Sequence, residues 1–237
     1  KPINEVIMSA LLNQNISSLE CLPTPGEIKR EIPVAPKQQS FILNSRTTIE
    51  GILDGCDMRL LAVVGPCAIH DIESATEFAE RLSKLAKELE DNLVVIMRVY
   101  FEKPRSVLGW KGLINDPYLD DTFRMEEGIV TARRFLLDLA EIGLPAATEI
   151  LDTLTPQYIG DLISWTAIGA RTAEAQTHRE IASGLSTPVG FKNATDGSLG
   201  AAINGVRASL GSHHFLGVTD DGLPAVFCTS GNRYAHV

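Results

Sequence analysis

From Leu60 onward, short continuous apolar runs alternate with stripes at helical spacing. Leu60-Leu61-Ala62-Val63-Val64 runs without a break into Gly65-Pro66, the pattern of a strand buried on both faces. Asp71 is placed to cap a helix that Phe78, Leu82, Leu85 and Leu89 mark as amphipathic. A second buried strand is predicted over 93–99. After a long loop reaching Asp121, a second helix carries Ile129, Ala132, Leu136 and Leu139 and closes at Gly143. Residues 145–150 predict a third strand, and Thr155-Pro156 opens the next helix with proline in its first turn. A fourth strand is predicted over 165–169, a short helix ending over 180–184, a fifth strand over 188–192 and a helix over 198–210. Two β-rich runs, 214–219 and 223–229, then flank Asp220-Asp221-Gly222, a hairpin signal that interrupts the alternation. A sixth strand is predicted to start near Tyr234.

Residues 1–58 follow another pattern. Ile7, Leu11 and Leu12 give part of a stripe for one short helix. Pro23, Pro25, Gly26, Pro33 and Pro36 break regular structure repeatedly, and a second helix is predicted over 40–53 from Ile42, Arg46, Ile49 and Leu53. The segment therefore reads as an N-terminal arm, with a barrel-type unit over 59–237 that includes an inserted β-hairpin at 214–229. Strand-helix alternation argues for a parallel α/β architecture. No GxGxxG follows the first strand and no Walker A loop is present. The expected fold is a (β/α)₈ TIM barrel of which about five βα units are present.

Composition narrows the classes. With 44% hydrophobic residues, the 237-residue chain has ample material for a core, so disorder is not expected. Mean hydropathy is +0.06 and no apolar run approaches the ~20 residues of a spanning helix, so no membrane role is expected. A net charge of −9 argues against general nucleic-acid binding but leaves room for a local basic pocket. Cys21, Cys56, Cys67 and Cys228 show no CxxC pair or zinc spacing, and no signal segment is evident, so a cytoplasmic protein with free thiols is expected.

In a barrel, chemistry collects at the C-terminal ends of the strands. Cys67 and His70 follow the first predicted strand. Arg98 lies near the end of the second, with Lys103, Pro104, Arg105 and Ser106 beyond it. Glu149 ends the third, Arg171 follows the fourth and Lys192 ends the fifth. Lone loop charges are ordinarily solvated, and a lone cysteine is ordinarily a small buried hydrophobe. Arg98, Arg171 and Lys192 are harder to dismiss, because an unpaired cation beside a buried strand is costly. Their convergence on one mouth points to a phosphorylated acid as ligand. Cys67 at that mouth reads as a nucleophile, with His70 near it in sequence, or as a thiolate ligand to a first-row divalent metal.

These residues carry a resemblance. Gly65-Pro66-Cys67 with Ile69-His70-Asp71, the run from Met97 to Arg105, and Gly109-Trp110-Lys111-Gly112-Leu113-Ile114-Asn115-Asp116-Pro117 are similar to 3-deoxy-D-arabino-heptulosonate 7-phosphate (DAHP) synthase of class I, the feedback-regulated bacterial and fungal type. Gly169-Ala170-Arg171-Thr172, His178-Arg179-Glu180, Ser183-Gly184-Leu185 and Pro188-Val189-Gly190-Phe191-Lys192-Asn193 extend it, so that it covers roughly residues 40–237. The resemblance implies condensation of phosphoenolpyruvate with erythrose 4-phosphate, the entry step of the shikimate pathway to aromatic amino acids. It implies Arg98, Lys103, Arg171 and Lys192 as phosphoenolpyruvate contacts, with Lys103 also reaching the reacting centre. Glu149 helps place the attacking water. Pro104, Arg105 and Ser106 form the erythrose 4-phosphate loop, with Ser106 where threonine is usual. Ala68 stands where serine is common. Cys67 is implied as one ligand of a divalent metal (Mn, Fe, Co or Zn) that polarises the aldehyde. Asp152, Gln157 and Ser186 match contacts to an aromatic amino acid effector, against helix capping and surface polarity as their ordinary reading. The arm and the hairpin are implied to build the regulatory site and subunit interface of a homodimer or homotetramer.

The other three metal ligands of that family lie on later strands, and His213, His214 and His236 do not take their positions. The chain is expected to be the N-terminal two-thirds of such a synthase, inactive by itself. Two alternatives stand beside this reading. One is a non-catalytic fragment keeping effector binding and subunit contacts. The other is the related 3-deoxy-manno-octulosonate 8-phosphate synthase, against which the Lys103–Ser106 loop and the long arm argue.

Overall fold

The computed structural model describes residues 11–237. Its backbone is a curled sheet of six parallel strands: β1 (Leu60–Val64), β2 (Leu93–Arg98), β3 (Ala146–Ile150), β4 (Trp165–Ile168), β5 (Val189–Phe191) and, after the hairpin described below, β8 (Ala235–His236). They lie in the order of the chain, as barrel units do. Each intervening segment crosses over the outer face: α3 (Ile72–Glu88), α4 (Met125–Glu141), the short α5 (Thr155–Ile159) with a 3-10 turn at Gly160–Leu162, α6 (Gln176–Gly184) and α7 (Gly200–Ser209). Between α7 and β8, strands β6 (His214–Val218) and β7 (Pro224–Cys228) form a separate antiparallel pair. Gly222, with φ of +78°, supplies the left-handed residue of its turn. The predicted alternation, the hairpin and the sixth strand are all present, and ends differ by one to a few residues.

Strand alternation separates two apolar layers. Val95, Met97 and Ala146 pack outward with Leu82 of α3 and Phe135 and Leu136 of α4. Ile96, Ala147, Val63 and Trp165 turn inward and meet Ile49. Ile49 belongs to α2 (Pro36–Leu53) and is fully buried, so the arm seals the floor of the curled sheet. The inner layer is tight: a Cβ on Gly190 would run into the Trp165 ring. Above this floor the same inward register delivers Arg98 and Glu149.

The arm corrects three expectations. The second helix begins at Pro36 rather than residue 40, with proline at its first helical position. The segment expected to be broken by prolines holds α1 (Pro25–Glu31), started by a capping box in which Thr24 and Glu27 satisfy each other's backbone N–H groups. No helix occupies 11–19, and the rest of the helix predicted near the start lies outside the described residues.

Two arginines fasten the arm to the barrel unit. Arg133 of α4, with no exposed surface, donates to the carbonyl of Ile32 at 2.9 Å and pairs in fork fashion with Asp161 at 2.7 and 2.8 Å. Arg46 of α2 donates to the carbonyls of Gly160 and Ile163. Among the described residues no helix is long and apolar enough to cross a membrane.

Candidate active site at the sheet mouth

The C-terminal ends of the strands bring most of the predicted charged residues together. Arg98 ends β2 and donates to the carbonyl of Cys67 at 3.2 Å. Lys103 donates to the same carbonyl at 3.3 Å and lies 2.9 Å from the Cys67 sulfur. The Lys103 ammonium, seconded by Arg98 and Arg105, holds the Cys67 thiol below its ordinary pKa. Lys192, just past β5, forms an ion pair with the buried carboxylate of Glu149 on β3. Glycine at 169 is required for this pair's geometry: a Cβ there would run into Oε1 of Glu149.

Other predicted residues stand apart from this cluster. Arg171 is exposed on the turn after β4. The Arg105 side chain folds back on its own loop, donating to the Trp110 carbonyl at 2.6 Å, while Pro104 is half-buried and Ser106 is exposed beside it.

Sequence reasoning passed over two buried residues here. Tyr100 is 4% exposed and lies under two cations: the Arg98 guanidinium is 4.0 Å from its ring centroid and the Lys192 ammonium 4.7 Å. Period-two alternation from Arg98 puts Tyr100 on the same face, so the signal was available. Glu102, 7% exposed, continues that face. Burial, with the nearby Asp152 charge adding to it, pushes its carboxyl up to about 7.

The implied metal finds one donor. Cys67 faces the Lys103 ammonium, a cation, and among the described residues no group of three or more His, Cys, Asp or Glu is arranged to hold a metal ion. The described residues therefore do not constitute a metal centre. All four cysteines are free and exposed, the free-thiol reading among those left open by the sequence.

A second feature lies on the outer face. Between α2, α5, α6 and the hairpin is a cavity of about 1190 Å³, lined among others by Thr148, Gln157, Ser186 and Phe215. It lies beside the short α5, and Glu149 reaches its wall as well. Gln157 and Ser186 thus meet at one cavity. Asp152 does not line it; its carboxylate accepts from the N–H groups of Leu154 and Thr155 and closes the turn ahead of α5.

Known proteins are similar to this chain in fold and sequence. A chain from Francisella tularensis SCHU S4, described as phospho-2-dehydro-3-deoxyheptonate aldolase, superposes with a TM-score of 0.91 at 46% identity, over 94% of this chain and 65% of that one. The Tyr-sensitive phospho-2-dehydro-3-deoxyheptonate aldolase of Escherichia coli (strain K12) is 54% identical over 228 residues, 96% of this chain. The Trp-sensitive enzyme of that strain is 50% identical over 219 residues, 92% of this chain. The chain spans 64% and 63% of the lengths of these two relatives. The model of the DAHP synthetase I family matches residues 31–237, which takes in the whole described sheet and its mouth, and the chain belongs to that family.

Proposed function

We propose that the protein is a DAHP synthase, condensing phosphoenolpyruvate with erythrose 4-phosphate and water to give DAHP and phosphate. The observation that carries this reading is the set of cations at the sheet mouth of an acidic chain: Arg98, Lys103 and Lys192 around a buried glutamate. The relatives' names, heptonate aldolases, favour it over the octulosonate reading. In this proposal Arg98, Arg171 and Lys192 hold the phosphoryl and carboxylate oxygens of phosphoenolpyruvate, and Lys103 reaches its carboxylate near the reacting carbon. Pro104, Arg105 and Ser106 receive erythrose 4-phosphate, Arg105 turning away from Trp110 to do so. C3 of phosphoenolpyruvate attacks the aldehyde carbon. Water, placed by Glu149, adds at C2, and phosphate departs by C–O cleavage. Fixing two anionic substrates side by side supplies both proximity and charge neutralisation.

In the full protein, phosphate release from phosphoenolpyruvate is expected only when erythrose 4-phosphate is also present. Release without the aldehyde, or none with it, rejects the proposal. The family's divalent ion finds only Cys67 among the described residues, and no step above is assigned to it. A metal requirement is read by loss of activity on chelation and its return on adding Mn²⁺ or Co²⁺.

The outer cavity is proposed to take an aromatic amino acid effector, the class named in the Tyr- and Trp-sensitive relatives, with Gln157 and Ser186 as contacts and Asp152 shaping the adjoining turn. Ser186→Ala is expected to relieve inhibition while activity is kept; unchanged inhibition removes Ser186 from the site. A homodimer or homotetramer is proposed from the exposed outer face of the hairpin, where Leu216 and Val226 stand opposite each other. Sedimentation of the protein tests it.

A further inference from the structure

We propose that Tyr100 is a positioning residue whose aromatic face holds Arg98 and Lys192 toward one shared anion. The inference rests on the phosphoenolpyruvate reading of the mouth and extends it to a residue that carries no charge.

Arg98 and Lys192 come from β2 and β5, which are separated in the sheet by β3 and β4. Two cations brought to one ligand repel each other while the site is empty, and something must offset that repulsion. Glu149 does so for Lys192. Arg98 has no such carboxylate. Among the described residues its hydrogen bond goes to the Cys67 carbonyl, and its Nε is buried without a hydrogen-bond partner. What the guanidinium does have is the Tyr100 ring, 4.0 Å from its central carbon. The Lys192 ammonium lies 4.7 Å from the centroid of that same ring. The negative face of an aromatic ring attracts cations without a formal charge of its own. A carboxylate in that place would neutralise Arg98 and compete with an incoming phosphate. A ring steadies the cation and leaves its charge available to the ligand. Tyr100 is itself 4% exposed, so its ring is held by its own packing.

The test varies the electron density of the ring at nearly constant shape. Phenylalanine and then mono-, di- and trifluorophenylalanine are placed at position 100 of the full protein. Phosphoenolpyruvate binding is followed by titration calorimetry, and KM for each substrate by phosphate release. Tyr100→Phe keeps the ring but loses the hydroxyl's hydrogen bond to Lys192, so it serves as the reference for the fluorinated series. The fluorinated series is expected to weaken binding stepwise, about tenfold across it, with KM for erythrose 4-phosphate unmoved. Tyr100→Leu, which removes the ring, is expected to lie at or beyond the end of that series. A flat series overturns the proposal, as does equal weakening toward both substrates. An unchanged protein that does not bind phosphoenolpyruvate overturns the substrate reading itself, a result distinct from a flat series in a protein that binds.

Discussion

A methyl group on Gly169 would meet Oε1 of Glu149, and the ion pair to Lys192 depends on that oxygen's neighbour on the same carboxylate. Gly169→Ala is therefore expected to turn Glu149 away from Lys192. Activity should fall by about ten- to a hundredfold, read as phosphate release, and the melting temperature should fall too, because a partly buried ion pair is broken. Retained activity would show that the carboxylate has room to shift. Glu102 gives a pH signature. Burial lifts its carboxyl from 4.5 to about 7, so the folded protein keeps a proton that the unfolded chain has released. Stability accordingly falls as pH rises from about 4.5 to about 7, and a charged Glu102 above that window costs on the order of 3 kcal/mol. Glu102→Gln should remove that slope and be the more stable form above pH 7. Denaturant unfolding at a series of pH values checks it, and a slope that survives in the variant assigns the effect elsewhere. Arg98, Glu149 and Lys192 were legible because a charged residue at the end of an apolar run is conspicuous. Glu102 was not, because its chemistry comes from what packs over it.

At the scale of elements, Arg133 joins four pieces of chain. It belongs to α4, takes the carbonyl of Ile32 after α1, the carbonyl of Tyr158 in α5, and the carboxylate of Asp161 in the turn beyond. Asp161 also lines the outer cavity. Arg133→Met should cost about 3–5 kcal/mol, because it leaves a carboxylate and two carbonyls without their donor. The measurement is the midpoint of chemical unfolding; a loss below about 1 kcal/mol would mean that water replaces the guanidinium. Sequence pattern located Asp71 as the cap of α3, since Asp stands directly before an amphipathic stripe, and its carboxylate does accept from Ser74 at 2.7 Å. It missed α1, although Thr24-Pro25-Gly26-Glu27 contains both halves of a capping box with proline at the first helical position. Four prolines and a glycine were read as breakers when two of them, Pro25 and Pro36, are starters. The stripe also could not show the tertiary bonds of α1: its Gly26 N–H donates to the Asp220 carbonyl in the hairpin turn, and Lys29 pairs with the Asp220 side chain.

For the molecule as a whole, the sheet has two outer strands, β1 and β8, each paired on one side only among the described residues. β1 is also apolar at its ends, with Leu60 70% and Val64 41% exposed. Such edges are templates for pairing with another chain. The 237-residue chain taken by itself is expected to self-associate at micromolar concentration, and charges on the β1 edge, as in Leu60→Lys, should reduce that. A monodisperse monomer by sedimentation would show that the open edges are tolerated. The order of strands could be read from the alternation alone, because parallel strands joined by crossover helices have few ways to be arranged. The use of the arm as a floor could not. Ile49 sits in a helical stripe like any other, and nothing local says that it faces the inside of a curled sheet.

The cavity beside the short α5 shares Glu149 with the mouth, so the carboxylate that meets Lys192 also borders the place where an effector is proposed to sit. An occupant of the cavity would bear on that shared carboxylate and, through it, on the strand ends.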